Sequence, residues 1–241
     1  MFRLLSALLA ATVIAGPALP APAAKDKKAD EALGPITDEQ LNTTTNNLKQ
    51  IALGFHNYND TYGALPTNQL SKDKKPLLSW RVQLLPFIEQ DHLYKQFKLD
   101  EPWDSENNKK LIDQMPELYF PVRGKADKGM TFYQTFGGKH GWMKPGAMIP
   151  ASFPDGTSNT FLVAEAAKPV IWTKPDDLEF DGKTVPALGG MFGGKFHAAM
   201  GDGSVSRFRK GVDPDILKFL IDPADGTVLP QDIGLDADEK K

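Results

Sequence analysis

The 241-residue chain contains no cysteine. This excludes a disulfide framework and a lipid-modified cysteine as a tether, so stability must come from a packed core. Long apolar runs are missing too. The longest, Leu4 to Ala15, is shorter than the roughly 20 residues needed to span a bilayer. Neither sign of charge dominates: 28 basic and 31 acidic residues give a net charge of −3. No basic cluster is interleaved with aromatics, which argues against nucleic acid as a partner.

What is present begins with the pattern of an export signal over Met1 to Ala23. Arg3 supplies the positive start, Leu4 to Ala15 the apolar stretch, and Ala21-Pro22-Ala23 the small residues of a cleavage site. The expectation is a periplasmic or extracellular protein after cleavage. Its rival is an uncleaved N-terminal anchor, since Pro17, Pro20 and Pro22 crowd the cut. Residues 24–36 read as a linker by composition, 37–230 as a single domain, and 231–241 as a charged, frayed tail.

Within the domain, Thr37-Asp-Glu-Gln40 has the form of a capping box and opens an amphipathic helix. Leu41, Leu48, Ile51, Ala52, Phe55, Tyr58 and Tyr62 fall on one face, and Gly63 and Pro66 mark the stop. Ser79 to Phe97 predicts a second helical region, kinked or split at Pro86, and Glu106 to Gln114 a short third. From Leu118 the pattern turns to short strand-like runs: 118–122, 130–136, 160–164, 170–172, 191–200 and 204–208. Pro214 to Ile221 predicts a terminal helix and Gly226 to Leu229 a last strand. Helices followed by strands predict an α+β fold, a long N-terminal helix packed on a mostly antiparallel sheet.

Four blocks stand in order: Asn47 to Pro66; Leu78-Ser-Trp-Arg-Val-Gln-Leu-Leu-Pro-Phe-Ile-Glu-Gln90 continuing to Asp100-Glu-Pro-Trp-Asp104; Asp155-Gly-Thr-Ser-Asn-Thr160; and Met200-Gly-Asp-Gly-Ser-Val205. Together they resemble the bacterial domain-of-unknown-function family 1559, whose members are similar to type II secretion pseudopilins. The resemblance runs from about Thr43 to Leu229. It implies a pilin-like helix on a sheet and structural roles for Asn57, Tyr58, Trp80, Pro86, Asp155, Gly156, Asn159, Asp202 and Gly203, but no activity. Typical members carry a prepilin leader and a long greasy helix. Here an ordinary signal takes their place.

Candidate sites each have a plainer rival. Asp155-Gly156 and Asp202-Gly203 suit tight hairpin turns, with Ca²⁺ binding at Asp155 and Asp202 as the alternative. His56 and Asp60, like Glu89 and His92, have metal-pair spacing on a helix, but a half-buried structural histidine is commoner. The glycine-rich stretch 189–194 precedes a strand, which fits a flexible hairpin approach and not a phosphate cradle. Glu165 and His197 are candidate binding residues. Trp103 and Trp142, with Trp80 and Trp172, are either core or a sugar-stacking face. No Gly-x-Ser-x-Gly element occurs, so a hydrolase would need Glu165 or Asp202 to meet a histidine in a pocket. The expectation is a non-enzymatic exported envelope protein acting through protein contacts with envelope or secreted partners, or with itself. The alternative is an extracytoplasmic solute- or carbohydrate-binding module. No cofactor beyond the Ca²⁺ alternative is expected.

Overall fold

The computed structural model describes residues 33–236. The expected leader at 1–23, most of the linker and residues 237–241 lie outside them. Helix α1 (Asp38–Tyr62) starts as predicted. Thr37 Oγ1 accepts the Gln40 N–H and Gln40 Oε1 accepts the Thr37 N–H, both at 3.2 Å. Gly63, at φ 68°, takes the left-handed cap conformation and returns its N–H to Asn59 O. Thr44, Leu48, Ile51, Ala52 and Phe55 are buried along one side. Tyr62, expected on that side, is 62 % exposed, its ring resting on Tyr58 and Phe87 at the surface.

The second helical region breaks into three pieces: α2 (Trp80–Gln83), a 3₁₀ turn at Leu85–Ile88, and α3 (Asp91–Tyr94). Ser79 caps α2 through Oγ, which accepts the Arg81 N–H at 3.2 Å. Pro86 stands at the start of the 3₁₀ turn, where a missing N–H has little cost. The third expected helix is a 3₁₀ segment, Asn108–Gln114. Residues 118–122, expected as a strand, form a 3₁₀ turn (Glu117–Tyr119) and an unpaired extended stretch. Pro121 has no N–H to give a ladder, and the buried Tyr119 donates its hydroxyl to Arg81 O at 3.1 Å.

Strands follow: β1 (Met130–Gln134), β2 (Phe136–Gly137), β3 (Phe161–Ile171), β4 (Leu178–Glu179), β5 (Phe196–Met200) and β6 (Val205–Phe208), with helix α4 (Pro214–Ile221) after them. The main sheet has the order β1-β3-β5-β6 with every pair antiparallel, while β2 and β4 form a small parallel pair. The fold is therefore α+β, as expected, and the runs 160–164 and 170–172 belong to one strand.

The two faces of the sheet build two cores. Tyr133, Val163 and Ala199 pack with Leu48, Ile51 and Phe55 of α1. Phe161, Ala164, Ala198 and Phe208 pack with Leu220 and Ile221 of α4. Adjacent residues such as Ala198 and Ala199 serve opposite cores because strand side chains alternate.

Four further expectations are corrected, while one turn stands. Asp202-Gly203 does turn the β5–β6 hairpin, with Gly203 at φ 86° and its N–H on Met200 O at 3.0 Å. Asp155-Gly156 makes no hairpin: it leads into a 3₁₀ turn and docks on the segment after α4, Asp155 N–H donating to Pro223 O at 3.1 Å. Residues 226–229, expected as a last strand, form none: 226–228 are exposed, and Gly226 N–H donates to the Asp155 carboxylate. The glycine stretch is closely packed rather than flexible: a Cβ at Gly190 would overlap the Ala167 carbonyl oxygen. Finally, residues 231–236 do not fray. Leu235 bridges to Phe208, and Asp236 N–H donates to Arg207 O at 2.9 Å, covering the outer edge of β6.

Candidate functional site

The strand register brings Glu165 and His197 together. Tyr133 on β1 stands opposite Glu165 on β3, and His197 on β5 stands opposite Arg207 on β6. Glu165 Oε2 accepts the His197 backbone N–H at 2.8 Å and lies 3.1 Å from His197 Nδ1. Their side chains are 0 % and 2 % exposed, beneath α1. Among the described residues Glu165 Oε1 and His197 Nε2 have no hydrogen-bond partner, and the nearby ring of Phe192 meets His197 edge-on at 5.2 Å. Burial pushes the Glu165 carboxyl above its ordinary range, while the bonds to His197 pull it down. Burial, then the charge of Glu165, pushes the Tyr133 phenol up, against a 3.5 Å hydrogen bond donated by Asn47 of α1. The pair can share a proton, and both side chains are covered by the surrounding core.

A second polar centre was missed from sequence. Arg81 and Asp177 form an ion pair at 2.9 Å with both side chains covered, 0 % and 1 % exposed. The guanidinium also donates to Tyr133 O from Nε and Nη2 (2.9 and 2.7 Å) and to Ser79 Oγ from Nη1 (2.8 Å), and it lies over the Trp80 ring at 4.6 Å. Asp177 accepts from Trp80 Nε1, Thr135 N–H and Asn68 Nδ2. The clue was an arginine inside the apolar run Leu78 to Ile88; its partner stands 96 positions away.

Each remaining candidate has a definite place. Trp142 is 1 % exposed, donates from Nε1 to Leu162 O and packs on Phe55 and Phe153. Trp80 and Trp172 are fully buried, so three of the four tryptophans belong to the core. Trp103 is half-buried beneath Lys174 Nζ at 5.9 Å. Asp202 Oδ1 accepts from Ser204 N–H and Oγ, while the Asp155 carboxylate accepts the Gly226 N–H. Among the described residues no three His, Asp or Glu side chains gather where a cation could sit. Asn159 Nδ2 closes its own turn on Asp155 O at 2.8 Å, and Gly156 takes φ 106°. Tyr58 donates to Gln83 Oε1 at 2.8 Å. Asn57 is exposed. Its neighbour Asn59 instead clamps Ile149, accepting from its N–H at 3.0 Å and donating to its O at 3.3 Å.

A groove of about 510 Å³ lies open along α1, between Thr43, Asn47 and Gln50 on one side and Glu117, Leu118, Phe120, Pro121 and Val122 on the other. Phe120 there is 46 % exposed. No helix among the described residues is long and apolar enough to cross a membrane.

Fold and site thus define an α+β domain in which one long helix lies on an antiparallel sheet and seals an acid–imidazole pair. Residues 42–123 match the model of the family described as "Protein of unknown function (DUF1559)", the family that the four blocks resemble. The match takes in α1 from residue 42 onward, the α2–α3 region and the chain up to Arg123, while the blocks at 155–160 and 200–205 lie outside it. No curated protein and no solved structure matches the chain.

Proposed function

We propose that this is an exported, non-enzymatic protein of the cell envelope that works through contacts with other envelope or secreted proteins, or with further copies of itself. The observation that carries the reading is a contrast in access. The acid–imidazole pair is sealed under α1, whereas the groove beside α1 lies open, with Phe120 in reach. The outward face of the helix is rich in uncharged polar groups, Asn42, Thr43, Asn46, Gln50 and Asn57, with Leu53 among them. Amides cost less to desolvate than charges and both donate and accept, which suits a contact surface. The export pattern of Met1 to Ala23 supports the location.

The test is cell fractionation combined with mass measurement of the assemblies that contain the mature chain. The expected result is a processed chain outside the cytoplasm, in assemblies that Gln50→Arg and Phe120→Ala weaken. A chain retained in the cytoplasm, or a strict monomer that binds no envelope component, overturns the reading.

A further inference from the structure

A second groove, of about 470 Å³, opens on the α4 face of the main sheet, between the first turns of α4 and the loop 183–188. Its floor is apolar and continuous with the core beneath α4. Phe196 of β5 and Val212 are buried there, and Val185, Leu188 and Leu217 pack against the same cluster. Both walls are fixed by the fold. Ala187 O accepts the Ala167 N–H of β3 at 2.8 Å, and Leu220 and Ile221 anchor α4 in the core. The groove is therefore preformed. Three cations line it, Lys183, Arg209 and Lys218, and no carboxylate does. Acidic neighbours are engaged outside the lining. Asp232 pairs with Arg209 at 2.9 Å and Asp215 with Lys218 at 2.8 Å, while Asp181 Oδ1 accepts the Lys183 and Thr184 N–H groups of its own loop. Both ion pairs lie at the surface, where such a contact holds a cation only weakly, so Arg209 and Lys218 remain open to a further anion.

We propose that this groove binds a fatty-acid anion, its alkyl chain on the apolar floor and its carboxylate among Lys183, Arg209 and Lys218. An alkyl chain brings no polar group onto the floor. A peptide would bring its own N–H and C=O groups there, where apolar side chains offer them no partner. The planar fork of Arg209 and the two ammonium groups match a carboxylate, and a neutral alcohol would leave that match unused. The groove beside α1 lies across the sheet, so either reading can fail without the other.

The experiment is isothermal titration calorimetry of the purified chain with octanoate, decanoate and dodecanoate below their micelle concentrations, and with 1-decanol. Saturable binding is expected, tightening about two- to fourfold for each added CH₂, as partial or full burial requires. 1-Decanol keeps the chain and drops the charge, and should bind about tenfold more weakly than decanoate. Lys183→Glu should weaken dodecanoate about tenfold. Lys49→Glu, the same charge change at an exposed position of α1, should leave it unchanged. No saturable binding, equal affinity for 1-decanol, or an affinity independent of chain length each overturns the proposal. So does undiminished binding by a folded Lys183→Glu, or an equal loss in Lys49→Glu, which would mark general attraction of an anion to the protein. Binding of hexaglutamate where dodecanoate fails would assign the groove to an acidic protein segment and overturns it too. If Lys183→Glu melts early, Lys218→Gln decides in its place, with unchanged affinity counting against the site.

Discussion

Asp177 gathers donors from four places in the chain: the Asn68 amide, the Trp80 indole, the Arg81 guanidinium and the Thr135 backbone. Removing it leaves a covered guanidinium without its counter-charge. Asp177→Ala is therefore expected to cost about 3–5 kcal/mol of stability, read from denaturant unfolding; a loss below about 1 kcal/mol would mean that water replaces the carboxylate. Glu165 behaves differently. Burial holds its carboxyl above the ordinary value of 4.5, so the folded state binds that proton more tightly than the unfolded chain does. Its favourable contribution is complete below pH 4.5 and is lost as pH rises through the raised folded value. Glu165→Gln keeps an acceptor for the His197 N–H but cannot ionise. Its stability relative to wild type should improve as pH climbs from about 4 to about 8, measured as denaturation midpoints. A difference that stays flat with pH would show that burial does not dominate at this residue. The sequence singled out Glu165 and His197, but as groups facing a ligand. Alternation along a strand tells which residues share a face, not which face the helix covers.

Helix α1 is the element whose limits were legible from end to end, because its cap, stripe and stop each involve residues within four positions of one another. Thr37→Ala removes an acceptor from the first turn and should lower stability by about 1 kcal/mol, seen as a lower melting temperature with the fold otherwise unchanged in circular dichroism. An unchanged melting temperature would mean that packing alone sets the start of the helix. The Ser79–Phe97 region was read correctly as broken at Pro86, but its pieces are too short to stand as helices without the core beneath them. Close approach explains Gly54 as well: a Cβ there would press on Ile88 Cγ2 at 3.3 Å, so α1 lies tight against the 3₁₀ turn. The strand-like run 118–122 misled because its apolar residues anchor a turn under Arg81 instead of pairing with a neighbour.

At the level of the entire domain, the main sheet is a central layer with α1 on one face and α4 on the other, and residues 231–236 seal the open side of β6. Arg209 pairs with Asp232 at 2.9 Å and Lys195 with Asp236 at 2.8 Å along that seam. A chain ended after Gln231 loses the cover and leaves β6 a bare edge. It should unfold more readily and self-associate, visible as added mass in light scattering. If it stays monomeric with an unaltered melting temperature, the segment does not protect the edge.

Composition, capping chemistry and periodicity were enough for the α+β class, the limits of α1 and α4, the β5–β6 turn and the family likeness, because those features rest on neighbours in sequence. The Arg81–Asp177 hub, the sealed Glu165–His197 pair, the buried tryptophans and the docked segment 231–236 join positions far apart in the chain. Their partners, and the side of the sheet on which they fall, follow from how helices and strands pack against one another, and no local pattern encodes that.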